Sequence, residues 1–252
     1  MTSKTSIEWT STYNADGSVT PGATLNTITG CQEVSPGCDH CYARVFSERF
    51  RGVPGHPFEH GFDLTFHPER LGLPEHWKKP KRIFVNSMSD LFHKDVPDSH
   101  IIDLFKVMAK VDRHVYQILT KRPSRLVNAG LYKLIEQAIG KWPEHIWLGV
   151  SVESQEYAWR IATLKRVPAP IRFISAEPLL GPLDLNLDGV SWLIAGAESG
   201  HGARSMDLDW VRSLRDQCQL QQVAFFFKQD ARNGKKIPLP ALDGKVWNEF
   251  PA

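Results

Sequence analysis

The sequence is poor in four things, and each shortage removes a class of protein. It has no apolar run near the roughly 18–20 residues that cross a bilayer, and Met1–Ser6 lacks the apolar core of a secretory signal, which predicts a cytoplasmic protein without a membrane span. It has little net charge. Thirty Lys and Arg against 28 Asp and Glu leave +2, too little for a global pull toward nucleic acid or a lipid surface. It has no internal repeat and no low-complexity tract, which sets aside solenoids and disordered arrays. Finally it has only four cysteines, three of them in one loop, so a disulfide there would strand one thiol.

What is present fits one globular unit. At 252 residues, 42% hydrophobic and 23% charged, the chain is long enough to bury a sizeable core, and a single domain over residues 1–252 is expected. Three local basic strips, His76–Arg82, Lys121–Arg125 and Arg232–Lys236, are either tracks for a phosphate backbone or solvated faces.

The three cysteines lie in the stretch T-I-T-G-C-Q-E-V-S-P-G-C-D-H-C-Y-A-R, Thr27–Arg44. Cys31, Cys38 and Cys41 have six and then two residues between them. Gly30, Pro36 and Gly37 let the loop turn back on itself, and residues 41–50 read as a helix, so the thiols fall where a strand hands over to a helix. Three thiolates suit a [4Fe–4S] cluster with one open iron, or a zinc ion that finds a fourth ligand. The remaining Cys218 sits in an expected helix, and His40 is wedged between two ligands, which favours the cluster.

Beyond the loop, short apolar runs alternate with amphipathic ones. Strands are expected at 25–29, 62–66, 82–86, 114–119, 146–150, 171–174, 192–195 and 223–227. Helices are expected at 68–77, 99–110, 123–139, 155–165 and 209–220. This pattern predicts an α/β fold, a (β/α) barrel, partial or complete, with parallel strands and outer helices. Residues 12–25 read as an excursion ahead of the cysteine loop, and the Pro-containing stretch 233–252 as a loosely structured tail.

In such a barrel the residues just after each strand form the active rim. Here they are polar: the cysteine loop, then Asn86, Ser87, Ser89 and Asp90, then Thr120, Lys121 and Arg122, then Ser151 and Glu153, then Ser175 and Glu177, then Glu198 and Ser199, and finally Lys228, Gln229 and Asp230. Any one of them could cap a helix; a whole rim of them points to a site.

The three-cysteine loop resembles that of the radical S-adenosylmethionine (SAM) superfamily, although the first spacing there is shorter. Together with I-E-W-T, F-V-N-S-M-S-D-L-F-H, L-T-K-R-P, W-L-G-V-S-V-E, S-A-E-P-L-L-G-P and F-F-F-K-Q, the chain from Ile7 to about Phe250 resembles a phage-associated three-cysteine family of radical-SAM-like proteins, related in outline to spore photoproduct lyase. It departs in the 12–25 excursion and in Asp230, where that family carries an aromatic residue. The resemblance implies a [4Fe–4S] cluster on Cys31, Cys38 and Cys41 that cleaves SAM reductively, with an electron donor such as flavodoxin or ferredoxin. Lys121 or Arg122 would meet the SAM carboxylate, Ser87, Ser89 or Asp90 its amino group, and Glu153 its ribose. His40 and Gly196 would lie against adenine, with Ser151, Glu177 and Glu198 completing the site. A nucleobase in DNA or RNA, for repair or modification, is the substrate class that the likeness and the basic strips suggest. Two other readings stay open: a zinc-stabilised nucleic-acid-binding protein, and a non-catalytic barrel that serves as a partner module.

Overall fold

The computed structural model describes residues 4–200, 202–232 and 235–251. Its apolar runs assemble into an eight-stranded sheet of β1 (Ala23–Leu25), β2 (Arg82–Val85), β3 (Val115–Thr120), β4 (Ile146–Ser151), β5 (Arg172–Ala176), β6 (Trp192–Gly196), β7 (Ala224–Arg232) and β8 (Lys235–Pro238). β1 to β7 are parallel neighbours in chain order, and β8 folds back antiparallel on β7. The sheet curls into a half-barrel. Its edges β1 and β8 do not pair, so the barrel is partial.

Strand periodicity accounts for two separate cores. Successive side chains point to opposite faces. On β2, β4, β5, β6 and β7, one alternate set (Ile83, Val85, Leu148, Val150, Ile174, Leu193, Phe225 and Phe227) packs in the larger apolar cluster, which the outer helices also supply. The long helix Asp98–Lys110 presents Ile101, Leu104, Phe105 and Met108 to that cluster at spacings of three and four, with Asp98 in its first turn and Lys110 in its last, as the helix dipole favours. The other alternate set is aromatic. Phe84, Trp147, Phe173, Trp192 and Phe226 fill the concave face, and Trp9 from the turn Glu8–Thr10 plugs it, 4.6 Å from Phe84 and 6.2 Å from Trp192 between ring centroids. Burying each such side chain is worth roughly 1.5–3 kcal/mol.

Several expected elements differ. The run 25–29 divides: β1 ends at Leu25, while Ile28–Thr29 pairs antiparallel with Thr65–Phe66 in a separate ribbon, so the strand expected at 62–66 is no barrel stave. The excursion at 12–25 contains a ribbon of Thr12–Tyr13 with Val19–Thr20 and then β1 itself. The helix expected over 123–139 breaks into Pro123–Asn128 and Leu131–Ile139 at Gly130, whose φ of 66° is left-handed. The helix expected over 155–165 opens as a 3₁₀ turn, Gln155–Tyr157, before Trp159–Leu164. In the tail, Asn233, Gly234 and Ala252 lie outside the described residues, but 235–251 is ordered: β8, then a hairpin of Ala241–Leu242 with Lys245–Val246. Trp247 is buried, and Phe250 stacks 5.1 Å from Trp192 beneath the Arg82 guanidinium at 3.8 Å. Apolar anchors at wide spacing, rather than a periodic pattern, hold this segment. No helix among the described residues is long and apolar enough to cross a membrane.

Candidate metal centre and cavity

The inward-facing columns of the half-barrel change character within two residues at the carboxyl ends of the strands. Phe84 is followed on the same face by Asn86, Leu119 by Lys121, Phe173 by Ser175 and Glu177, Ile194 by Gly196 and Glu198, and Phe226 by Lys228. Gln229 joins them through a β-bulge: Ala195 pairs with Phe227 but Gly196 with Gln229, so Lys228 is an extra residue on β7.

The cysteine loop closes over this mouth. Gly30 bridges in parallel to Ser89 and donates to the Met88 carbonyl at 3.0 Å. Pro36–Cys38 is a 3₁₀ turn, and Cys41 starts the helix Tyr42–Glu48. Three braces fix the loop to three different strand ends. After β3, Arg122 donates to the Gln32 carbonyl at 2.7 Å, approaches Cys31 Sγ at 3.3 Å and pairs with Asp90 at 3.1 Å. After β4, Glu153 accepts from Ser35 Oγ at 2.7 Å and packs so closely under Gly37 that a Cβ there would lie 2.5 Å from its Cγ. After β6, Glu198 holds Arg204, which reaches back to the Pro36 carbonyl at 2.8 Å and to Asp39 at 3.2 Å.

The charges are strongly coupled. Burial alone would raise the Glu153 pKa, but Lys121 at 3.3 Å, Arg160 at 2.7 Å and the Ser35 hydroxyl overcome it and hold the carboxyl below its usual range. Glu198 is likewise lowered: burial works against its charge, and Arg204 with His40, whose Nδ1 is 2.9 Å from Glu198 Oε2, outweighs it. Burial, with Asp90 nearby, pushes the Cys31 thiol up to about 11 despite the opposing Arg122. Among the described residues, no three His, Cys, Asp or Glu side chains converge closely enough to hold a single metal ion.

A cavity of about 380 Å³ opens beside the loop, with all three loop cysteines in its wall. Of the residues singled out from sequence, His40, Ser87, Ser89, Asp90, Lys121, Arg122, Ser151, Glu177 and Glu198 also line it. Glu153 and Gly196 do not. Glu153 is fully buried, both carboxylate oxygens are engaged, and it supports the loop from below; Gly196 lies at the bulge, its carbonyl accepting from the Leu179 amide at 3.0 Å. Arg204 and Arg160 escaped sequence reasoning, because neither follows a strand. Cys218 is buried in the helix Leu208–Leu220, away from the loop, where burial raises its thiol to about 12.

Several residues of the basic strips are engaged within the protein. Lys121 and Arg122 are paired as above, and Arg125 donates to the carbonyls of His93 and Val96 and pairs with Asp98 at 2.6 Å. Arg82 begins β2, at the opposite end of the strand from the mouth, and donates to the Ser11 carbonyl at 2.7 Å. In the third strip, Asn233 and Gly234 lie outside the described residues, and Lys236 pairs with Glu8 at 2.6 Å.

The chain is thus an α/β half-barrel with a cysteine loop braced across its mouth. It belongs to the DUF5131 family, described as proteins of unknown function, whose model matches residues 4–251. No curated protein matches it. Among solved structures it is distantly similar to spore photoproduct lyase complexed with dinucleoside spore photoproduct (11% identity, TM-score 0.45, covering 69% of this chain and 55% of that one). A cysteine-to-serine mutant of spore photoproduct lyase gives 12% identity and a TM-score of 0.45, with 84% and 66% covered. A double mutant with bound AdoMet and dinucleoside spore photoproduct gives 11% and 0.45, with 84% and 65% covered. The chain therefore spans between 55% and 66% of the length of those structures.

Proposed function

We propose that this protein is a radical SAM enzyme in which Cys31, Cys38 and Cys41 hold a [4Fe–4S] cluster whose open iron takes SAM. The observation that carries the reading is a loop of three thiols, pinned to the ends of three parallel strands, beside a cavity whose wall includes all three cysteines. The donor set fits. A single zinc ion needs four donors at about 2.0–2.3 Å from one centre, whereas three thiolates can each bind a different iron of a cubane and leave the fourth iron open. Cys31, Cys38 and Cys41 would hold the cluster, and once reduced it would supply one electron for the reductive cleavage of SAM that starts radical chemistry on the substrate. The electron would come from a carrier such as flavodoxin or ferredoxin.

The chain's own residues prepare this chemistry. Arg122 sets a positive charge 3.3 Å from Cys31 Sγ, which offsets part of the rise that burial and Asp90 impose on that thiol. Ser87 and Ser89 offer hydroxyls in the wall, and His40, oriented by Glu198, closes the rim beside Cys41. The aromatic floor keeps bulk water from the lower half of the barrel. For the substrate, sequence puts forward a nucleobase of DNA or RNA, acted on in repair or modification.

The test is anaerobic purification and reconstitution, followed by iron, sulfide and zinc analysis, electron paramagnetic resonance with and without SAM, and assay for 5′-deoxyadenosine after reduction. About four irons and four sulfides per chain are expected, with a spectrum that changes on adding SAM. A colourless protein with one bound zinc would replace this reading with the zinc-stabilised one.

A further inference from the structure

Of the cations in the cavity wall, Arg122 is the one that, among the described residues, donates to a sulfur of the cysteine loop. Its position is set from both ends. The Arg122 amide donates to Thr120 Oγ1 at 2.8 Å, and the Thr120 hydroxyl donates in turn to Asp90 Oδ1 at 2.8 Å. The buried Asp90 carboxylate also accepts from the Phe92 amide at 3.0 Å, from the Lys121 amide at 3.0 Å and from Arg122 Nη1 at 3.1 Å. The guanidinium is thereby fixed against the loop. Its Nη2 donates to the Gln32 carbonyl at 2.7 Å, and its Nη1 bridges Asp90 Oδ2 and Cys31 Sγ, the latter at 3.3 Å. A planar fork with several charge-assisted bonds holds one geometry, as a lysine on the same stem would not.

The other two loop thiols lack such a neighbour among the described residues. Cys38 Sγ stands 3.9 Å from the uncharged Ser35 hydroxyl, while Lys121 and Lys228 in the same wall are paired with Glu153 and Glu177. Positive charge therefore meets sulfur at Cys31. One-electron reduction makes a cluster on these thiolates one unit more negative, and a hydrogen bond and a cation at a ligand sulfur favour that state. The Arg122 side chain is 14% exposed, so water screens its charge only in part. Asp90 acts with the opposite sign, but it meets the sulfur through Arg122.

We infer that Arg122 acts through Cys31 to set the reduction potential of the cluster, raising it toward the reach of a one-electron carrier, with Asp90 as the counter-charge that limits the rise. This rests on the radical SAM reading, in which these thiols hold a [4Fe–4S] cluster. Of the two cations expected to meet the SAM carboxylate, it leaves Lys121.

The experiment is a redox titration followed by electron paramagnetic resonance, without SAM, on reconstituted wild type, Arg122→Gln, Arg122→Lys and Asp90→Asn, each first analysed for iron and sulfide. Arg122→Gln removes the cation and leaves Asp90 uncompensated; it should disfavour reduction by about tenfold, a fall of about 59 mV for one electron. Asp90→Asn leaves the Arg122 charge unopposed and should favour reduction by about tenfold, a rise of about 59 mV. Arg122→Lys keeps the charge without the fork and should fall by less than Arg122→Gln. Both Arg122→Gln and Asp90→Asn break the same ion pair, so a merely structural role would move the potential in the same direction in each. Shifts of one sign, or potentials equal to that of wild type in variants with full iron, overturn the inference and leave the enzyme reading intact. If Arg122→Gln holds no cluster, a rise in Asp90→Asn with a fall in Arg122→Lys supports the inference, and any other pair of signs overturns it. If none of the variants holds a cluster, Arg122 and Asp90 only build the loop, and the inference is overturned. A wild-type chain that takes up no iron and sulfide removes the radical SAM reading itself, and the inference with it, before any potential is measured.

Discussion

The two ends of the half-barrel are built from the same inward-facing columns to opposite ends. At the base, Phe84, Trp147, Phe173, Trp192 and Phe226 close around Trp9, and the N-terminal turn and the C-terminal segment clamp the cluster from outside, Trp192 Nε1 donating to the Glu249 carbonyl at 2.8 Å. At the mouth, two to six residues further along the chain, the columns turn to Asn86, Lys121, Glu153, Glu177, Glu198 and Lys228, and the contacts become ion pairs and hydrogen bonds to a loop. The base keeps the sheet curled through contacts that need no ligand. The mouth holds buried charge whose arrangement makes sense around a guest, so substitutions at the two ends should fail in different ways.

The largest separation is expected from the thiols. Cys31→Ala, Cys38→Ala or Cys41→Ala should abolish cluster assembly, since two thiolates rarely hold a [4Fe–4S] centre. Cys218→Ala, in the outer core, should keep its iron and lose some stability. Iron and sulfide analysis after anaerobic reconstitution reads this directly, and equal iron loss from the Cys218 variant would show that the ligand set is wrong. Next comes the base: Trp192→Ala should cost about 3–5 kcal/mol in denaturant unfolding, the usual range for emptying a fully buried aromatic site, yet the protein that remains folded should load iron normally. Failure to load would mean that base and mouth are not separable.

A third, smaller effect tests whether the mouth also contributes stability. Glu153→Gln leaves Lys121 and the buried Arg160 without their counter-charge and should cost about 1–3 kcal/mol at neutral pH. Because the folded pKa of Glu153 lies below its ordinary value of 4.5, its stabilisation is present above that pH and lost as the pH falls through the folded value. The gap between wild type and variant should therefore narrow on acidification below about pH 4.5. A gap that is constant with pH would trace the cost to packing against Gly37 instead of charge.

The parallel sheet was legible because its strands are short apolar runs at regular spacing, and the cysteine loop stood out because three of the four thiols gather in it. Closure was not, because an open edge depends on how the ends meet and not on any one strand's pattern. Glu153 was misplaced for a related reason. A list of strand-end carboxylates and cations does not say which of them neutralise one another; with Arg160 coming from a helix seven residues later, Glu153 is consumed in supporting the loop. The β-bulge that brings both Lys228 and Gln229 to the cavity left no mark that periodicity could find, since it arises in the pairing with β6. Arg204, in a loop without pattern, shows its role only once Pro36, Asp39 and Glu198 are seen around it.

That clamp gives the smallest predicted effect and the finest test of the comparison. The Arg204 side chain is 32% exposed, so its ion pairs are screened by solvent, and Arg204→Gln should change global stability by less than about 1 kcal/mol. Its loss should be felt locally, because it ties Pro36 and Asp39, on either side of Cys38, to the end of β6. If the loop opens without the rest of the fold, weakening its tether by about 1 kcal/mol should raise the opened fraction roughly fivefold. Iron release to a chelator, with the protein held well below its melting temperature, should quicken by the same factor. Arg212→Gln provides the control: Arg212 is similarly exposed, at 39%, and doubly paired with Asp209 and Asp243, but it lies on the outer helix Leu208–Leu220 and should leave iron release unchanged. If both variants release iron at the wild-type rate, Arg204 does not hold the loop. If both quicken it, the cause is global stability after all, and the division between a stabilising base and a guest-holding mouth would not survive.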